Sequence, residues 1–309
     1  MPAARAAGID GVSDQGLPAW SGSFAHSPLA ALLENRLQGP FGQVRMARYV
    51  MQWNAVSEPA VPGDYRERFE AWLSDVGAAG LTPVLALTSF VGGEPLPGPA
   101  AYAAALRETL ARARELGTPV AWVEAWNEPN DQGRAGPQRA AEYANTAHAV
   151  CAAAGCGVIA GDLEDAPGVL AYEAAYEAAL SFAPAAWGIH PYRALASRDD
   201  ALALAIKAAL PRGAALWLTE TAAFYCRHGQ VAGPGAQEAE ARYLDTALIG
   251  ALDPVHAFYY GVSYAGAGTA TCASAGGEDT QLLPAGEAPR PAAGVLLGAQ
   301  PLAAFGPDP

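Results

Sequence analysis

The chain has 309 residues, 51% hydrophobic and 16% charged, so it can build a large core and carries no signature of disorder. Eighteen basic residues against 31 acidic ones give a net charge of −13, which repels phosphate backbones and anionic membranes and argues against either as a partner. No apolar run reaches the roughly 18 residues that span a bilayer, and the opening Met-Pro-Ala-Ala-Arg-Ala-Ala-Gly lacks the apolar segment of a secretory signal. The expected location is cytoplasmic, or extracellular if a leader has been removed.

Residues 7 to 15 read as a short first strand that runs into a polar loop carrying Trp20, Phe24 and His26, with a helix expected from Pro28 to Gln38. A long second strand, Gln43 to Trp53, contains Arg48 and ends Met51, Gln52, Trp53, Asn54. An arginine inside a strand needs a carboxylate partner, because burying it unpaired is costly. Arg45 is the rival position in the same strand, and a purely structural ion pair meets the same need. From Tyr65 to Ala79, Phe69, Trp72, Leu73 and Val76 recur at helical spacing and mark one face towards a sheet, so Trp72 belongs to the core. The third strand is Pro83 to Leu87. Its loop (Ser89, Phe90, Gly92, Gly93) is glycine-rich but lacks the spacing of a phosphate cradle, and no cofactor is expected. An alanine-rich helix follows from Ala100 to Leu116.

Residues 119 to 130 form an apolar, β-branched stretch that stops at Glu128, between Asn127 and Pro129. The carboxylate therefore belongs at the mouth of a sheet. After a helix from Pro137 to Ala154, the fifth strand, Gly157 to Gly161, delivers Asp162 and Glu164 to a loop, where such residues contact a hydroxyl or cap the next helix. A helix from Gly168 to Phe182 leads to the sixth strand, Ala186 to Ile189, which ends in His190, Pro191 and Tyr192. A helix from Arg198 to Leu210 leads to the seventh, Ala214 to Thr219, followed by Glu220. The last pair is a helix from Ala236 to Leu252 and a strand from Ala257 to Tyr260. A Gly/Ser-rich loop, Ala265 to Gly277, and a closing helix, Ala292 to Phe305, finish the chain. Eight strand-then-helix units without linker or repeat predict an α/β fold, one (β/α)8 barrel over residues 1–309 with right-handed crossovers.

The run Trp126, Asn127, Glu128, Pro129, Asn130 behind a strand resembles the acid/base motif of clan A glycoside hydrolases, the (β/α)8 retaining enzymes that include families 5 and 39. The resemblance implies that Glu128 is the general acid/base at the end of the fourth strand. It also implies that Glu220, in Leu-Trp-Leu-Thr-Glu-Thr-Ala, is the nucleophile at the end of the seventh. Arg48 matches the clan's second-strand arginine, and His190 with Tyr192 matches the sixth-strand position beside the nucleophile. Strands four and seven face each other across a barrel, as a retaining mechanism requires of carboxyl groups roughly 5 to 5.5 Å apart. Asn127 is placed to orient a sugar hydroxyl next to the acid. Trp53, Trp126, Tyr192, Tyr225 and Tyr260 fall at strand ends on that face, and about half of them should stack on sugar while the rest are core. The eighth strand lacks the clan's frequent tryptophan, so the sugar is not carried over. The expected activity is retaining hydrolysis of a poly- or oligosaccharide by a monomer. The alternatives are a carbohydrate-binding barrel without turnover and a transglycosylase with the same site.

Cys151 and Cys156 flank a helix-to-strand turn, while Cys226 and Cys272 follow the seventh and eighth strands on one face. Two local disulfides would explain both placements and favour an oxidising compartment, although four cysteines allow three pairings and buried thiols are the alternative. With no CxxC pair and no HExxH stretch, no metal centre is expected.

Overall fold

Eight parallel strands close into a ring: β1 (Ile9–Ser13), β2 (Phe41–Gln52), β3 (Thr82–Thr88), β4 (Trp122–Glu124), β5 (Gly157–Glu164), β6 (Ala186–His190), β7 (Ala215–Thr221) and β8 (His256–Tyr260). Each pairs with its neighbours in this order, and β8 closes on β1. The computed structural model describes residues 8–13, 41–58, 65–90, 95–131, 135–262, 272, 278–284 and 288–297. The expected helix Pro28 to Gln38, with Trp20, Phe24 and His26 before it, lies outside the described residues. So do Gly92, Gly93, most of the loop Ala265 to Gly277 and the end of the closing helix.

Among the described residues the helices are α1 (Tyr65–Ala78), α2 (Pro99–Glu115), α3 (Pro137–Ala154), α4 (Val169–Ala178), α5 (Tyr192–Ser197), α6 (Ala201–Ala209), α7 (Pro234–Tyr243), α8 (Ile249–Leu252) and α9 (Pro291–Leu297). α2, α3 and α7 start with proline in the first turn, where the missing N–H costs nothing. α1 buries Phe69, Trp72, Leu73 and Val76, and Trp72 stacks on Tyr49 of β2 at 5.2 Å between centroids. Several boundaries differ from the sequence expectation. β5 runs on to Glu164, so Asp162 and Glu164 belong to the strand and not to the loop after it. β4 pairs over only three residues, which leaves Glu128 in the loop beyond it. The helix expected from Arg198 starts at Ala201 as α6, and a short unexpected helix, α5, precedes it and ends at a left-handed Arg198. A π turn, Leu244–Leu248, interrupts the helix between α7 and α8.

The barrel is filled in layers. Its floor is apolar, with Met46, Val84, Ile159, Ala186, Trp217 and Phe258 packed together and Trp122 against Trp217 at 5.0 Å. Above that floor the lumen turns polar: Arg48, Glu124, Asp162, His190 and Glu220 are all buried. Two irregularities put Asp162 and Glu220 there. Gly161 to Leu163 of β5 spans two residues where β6 has only Gly188 to Ile189, and Leu218 to Thr221 of β7 spans three where β8 has Ala257 to Tyr259. An extra residue resets the in/out alternation of a strand and re-aims its side chains.

Disulfides join Cys151 to Cys156 and Cys226 to Cys272. The second anchors a two-stranded ribbon, Cys226–Arg227 with Gln230–Val231, beside the C-terminal mouth of the barrel. Among the described residues no helix is long and apolar enough to cross a membrane.

Candidate active site

Arg48, from the middle of β2, is fully buried and occupies the centre of the polar layer. Its Nε donates to Glu124 Oε2 at 2.8 Å, and its Nη1 donates to Ser13 at 3.0 Å and to Glu220 Oε1. Its Nη2 donates to Asn127 Oδ1 at 2.7 Å and to Asp162 Oδ2 at 3.2 Å. Three carboxyl groups thus surround one guanidinium. A buried cation needs that company, because its desolvation is repaid only by close, well-oriented anions. Arg45, the rival in the same strand, is exposed.

The Glu220 carboxylate is held from both sides, since Tyr192 Oη donates to Oε2 while Arg48 donates to Oε1. Burial and then the Glu220 charge push the Tyr192 hydroxyl well above its ordinary pKa, so it remains a neutral donor. Tyr192 opens α5, whose first amides, of Arg193 and Ala194, donate to the buried Asp165 at 2.7 and 2.8 Å. Arg227 lies over the rings of Phe224 and Tyr192, 4.8 and 5.4 Å from their centroids, and pairs with Glu164 at 3.1 Å.

Glu128 sits at the rim, its side chain 22% exposed. Its backbone is left-handed, with φ 44°, and its amide donates to the Asp162 carbonyl at 3.1 Å. Asn130 clasps the same edge of β5: its Nδ2 donates to the Glu164 carbonyl at 2.8 Å and its Oδ1 accepts from the Glu164 amide at 3.0 Å. Asn127 and Asn130 therefore tie the loop to Arg48 and to β5, which fixes the carboxyl group between them.

His190, at the end of β6, stands between the two glutamates. Its Nδ1 is 2.8 Å from Glu128 Oε1 and 3.8 Å from Glu220 Oε2, and its Nε2 is 2.8 Å from Asp162 Oδ1. Burial alone would favour neutral imidazole, but the Asp162 and Glu220 charges outweigh it and hold His190 protonated well above its usual range. Burial likewise opposes ionisation of Asp162, yet His190 and Arg48 hold it well below the ordinary carboxylate value. Glu124 goes the other way: burial, opposed by Arg48 and reinforced by the Asp162 charge, pushes it up to about 8. For Glu128, burial raises the pKa, the His190 hydrogen bond and charge lower it, and the charges of Glu220 and Glu164 add to a net rise.

One donor atom each of Glu128, His190 and Glu220 lies within 4.8 Å of the other two. Among the described residues these three are the set that could hold a metal ion, but Arg48 and the His190 imidazolium already supply positive charge at that point.

The other expected site residues are spread around this centre. Trp126 is 2% exposed and stacks on Tyr143 at 4.7 Å, in the layer between barrel and helices. Trp53 is 7% exposed, just beyond β2. Tyr225 is half-buried beneath the Arg290 guanidinium at 4.1 Å, and Arg290 pairs with the buried Asp279 at 2.6 Å. Tyr260 is half-buried at the end of β8, within electrostatic reach of the Tyr192 hydroxyl. Sequence reasoning did not single out Glu124 and met Asp162 only as a loop residue. The available signal for Glu124 was a charged residue inside the apolar run Val-Glu-Ala-Trp, which needs a cation just as Arg48 needs an anion.

No protein-family model and no curated protein matches the chain. Solved structures do. A β-1,3-glucanosyltransferase from Rhizomucor miehei, an active-site mutant in complex with laminaritriose, aligns with TM-score 0.62 and 13% identity over 94% of this chain and 98% of that one. The GH53 catalytic domain from Ignisphaera aggregans aligns with TM-score 0.60 and 15% identity over 84% and 86%. A family 39 glycoside hydrolase from Bacteroides cellulosilyticus WH2 aligns with TM-score 0.59 and 17% identity over 94% of this chain, which spans only 63% of that one. At such identities the likeness establishes the shared barrel.

Proposed function

We propose that the protein is a retaining O-glycoside hydrolase acting on a poly- or oligosaccharide, with residues 1–309 as one monomeric catalytic unit. The observation that carries this reading is the compactness of the Glu128, His190 and Glu220 donors, all within 4.8 Å. An inverting pair leaves room for water and stands roughly 6.5 to 9.5 Å apart, whereas double displacement needs roughly 5 to 5.5 Å. Glu220, accepting from Arg48 and Tyr192, is oriented to attack the anomeric carbon. Glu128, with its raised pKa, gives its proton to the leaving oxygen, and the carboxylate left behind is stabilised by His190 until it takes a proton from the incoming water. Asn127 has its Oδ1 committed to Arg48, which leaves its NH2 to donate to a sugar hydroxyl.

Glycoside hydrolases among the solved structures of the same fold support the class, and the two disulfides favour an oxidising compartment. Transfer of the glycosyl group to a sugar acceptor is the second reading, favoured by the glucanosyltransferase among those structures. The test is a panel of aryl glycosides and polysaccharides with the anomeric form of the first product followed by NMR. Retained configuration supports the proposal, inverted configuration refutes the double displacement, and product that lengthens with added acceptor selects transfer.

A further inference from the structure

Asp162 touches neither proposed reacting group with its own carboxylate, yet it touches a partner of each. Its Oδ1 stands 2.8 Å from His190 Nε2, and the other ring nitrogen of that histidine is on Glu128. Its Oδ2 stands 3.2 Å from Arg48 Nη2, and the other amino group of that guanidinium is on Glu220. Its main-chain carbonyl accepts the Glu128 amide. We infer that Asp162 is a positioning residue that sets both members of the pair together, orienting His190 against Glu128 and Arg48 against Glu220. The inference rests on the reading that Glu128 and Glu220 react.

Considerable local structure serves this one side chain. Asp162 itself is left-handed, with φ 57°, directly after the left-handed Gly161, at the extra residue of β5. A side chain at Gly161 would collide with Trp187, and one at Gly188 would press on Thr219 Oγ1 at 2.9 Å and on Asp162 Cα at 3.3 Å. The Thr219 hydroxyl donates to Asp162 Oδ1 at 2.8 Å and fixes its rotation. A carboxylate needed only to neutralise Arg48 would have no use for the contact to His190. Arg48 also has Glu124 at 2.6 Å and Glu220 beside it.

The charged and titratable groups facing His190 are Glu128 from the loop after β4, Asp162 from β5, Tyr192 from α5 and Glu220 from β7, with Arg48 and Glu124 behind Asp162. Asp162→Asn keeps the shape and removes the charge. His190 then gives up its proton at lower pH, and Glu128, without a cation beside it, keeps its own proton to higher pH. The expected result on an activated aryl glycoside is a fall in kcat/KM of about tenfold or more, carried mainly by kcat, with the alkaline limb displaced upward by about half a pH unit. The His190 ring, read by 15N NMR at pH 7, should change from doubly protonated to a neutral tautomer, a readout that needs no turnover. An unmoved pH profile with an unchanged imidazolium overturns the inference, even where rate or stability falls. If Asp162→Asn does not fold, Thr219→Val decides: a smaller displacement in the same sense supports it and none overturns it. Full activity in Glu128→Ala and Glu220→Ala would instead remove the glycosidase reading, while leaving the NMR result on His190 to stand by itself.

Discussion

The Glu128 amide and the Asp162 carbonyl are hydrogen-bonded at 3.1 Å, and both residues have left-handed backbones. Residues of this kind rarely adopt that conformation, and each instance costs roughly 1–3 kcal/mol that the surroundings must offset. The edge of β5 thus fixes the place of the proposed acid.

Removing each glutamate should produce a different defect. Glu220→Ala deletes the attacking atom, so no glycosyl-enzyme forms and activity falls by about three orders of magnitude or more on every substrate. Azide rescues it only with inversion. Glu128→Ala leaves attack intact on substrates with good leaving groups, so its intermediate accumulates and azide restores turnover with retention. Trapping an intermediate in the Glu220 variant and not in the Glu128 variant would reverse the roles.

Glu128 must be protonated for the first step, and its pKa is raised, so kcat/KM should decline as pH rises through that raised value. The Glu220 charge contributes to the rise. In Glu220→Gln the Glu128 carboxyl should therefore titrate at lower pH than in the wild type, as followed by 13C NMR of labelled glutamate. A Glu128 titration that does not move would mean that the two carboxyl groups are not electrostatically linked.

Arg48→Met leaves Glu124, Asp162 and Glu220 together in the lumen without their shared cation. Breaking a buried ion cluster in this way should cost roughly 3–5 kcal/mol, measured as a fall in the urea midpoint at unchanged slope. Glu124→Gln should cost much less, because burial already pushes the Glu124 carboxyl up to about 8 and glutamine keeps an oxygen to accept from Arg48 Nε.

Glu173 on α4 is buried, and neither carboxyl oxygen has a hydrogen-bond partner among the described residues. Burial, helped by the Glu177 charge, pushes it up to about 8. A carboxyl whose folded pKa lies above its unfolded one stabilises the fold fully below the unfolded value, and that contribution is lost as pH rises from there through about 8. Glu173→Met should remove this slope and raise stability at pH 8 by roughly 1–3 kcal/mol, the cost of an unsatisfied buried polar group. Parallel denaturation curves for variant and wild type at pH 5 and pH 8 would rule it out.

The barrel was legible because each strand is an apolar run ended by a polar residue and each helix repeats its apolar face at its own period. Arg48, Glu128, His190 and Glu220 could be read for the same reason, as polar residues at the edges of apolar runs or inside them. The pairing of Arg48 with Asp162 was not legible, because 114 positions separate them and only the closed ring brings them together. The extra residues in β5 and β7 were also hidden: no composition signal marks a reset of alternation. Trp126 illustrates the limit for aromatics, since strand pairing stops at Glu124 and its ring turns onto Tyr143 of α3.

The two extra residues make the centre of this barrel more sensitive to chain length than to chemistry. Deleting Gly161 or Thr219 restores a regular pleat and draws every later position of that strand back by one residue, so Asp162 or Glu220 still faces the lumen but about 3.3 Å nearer the floor, away from the partners that hold it. The floor below, made by Met46, Val84, Ile159, Ala186, Trp217 and Phe258, precedes both deletions along the chain or belongs to other strands, and keeps its own register. A single-codon deletion scan should therefore find, at these two places, proteins that still fold yet have lost the whole centre, while deletions in the surface turns leave it intact.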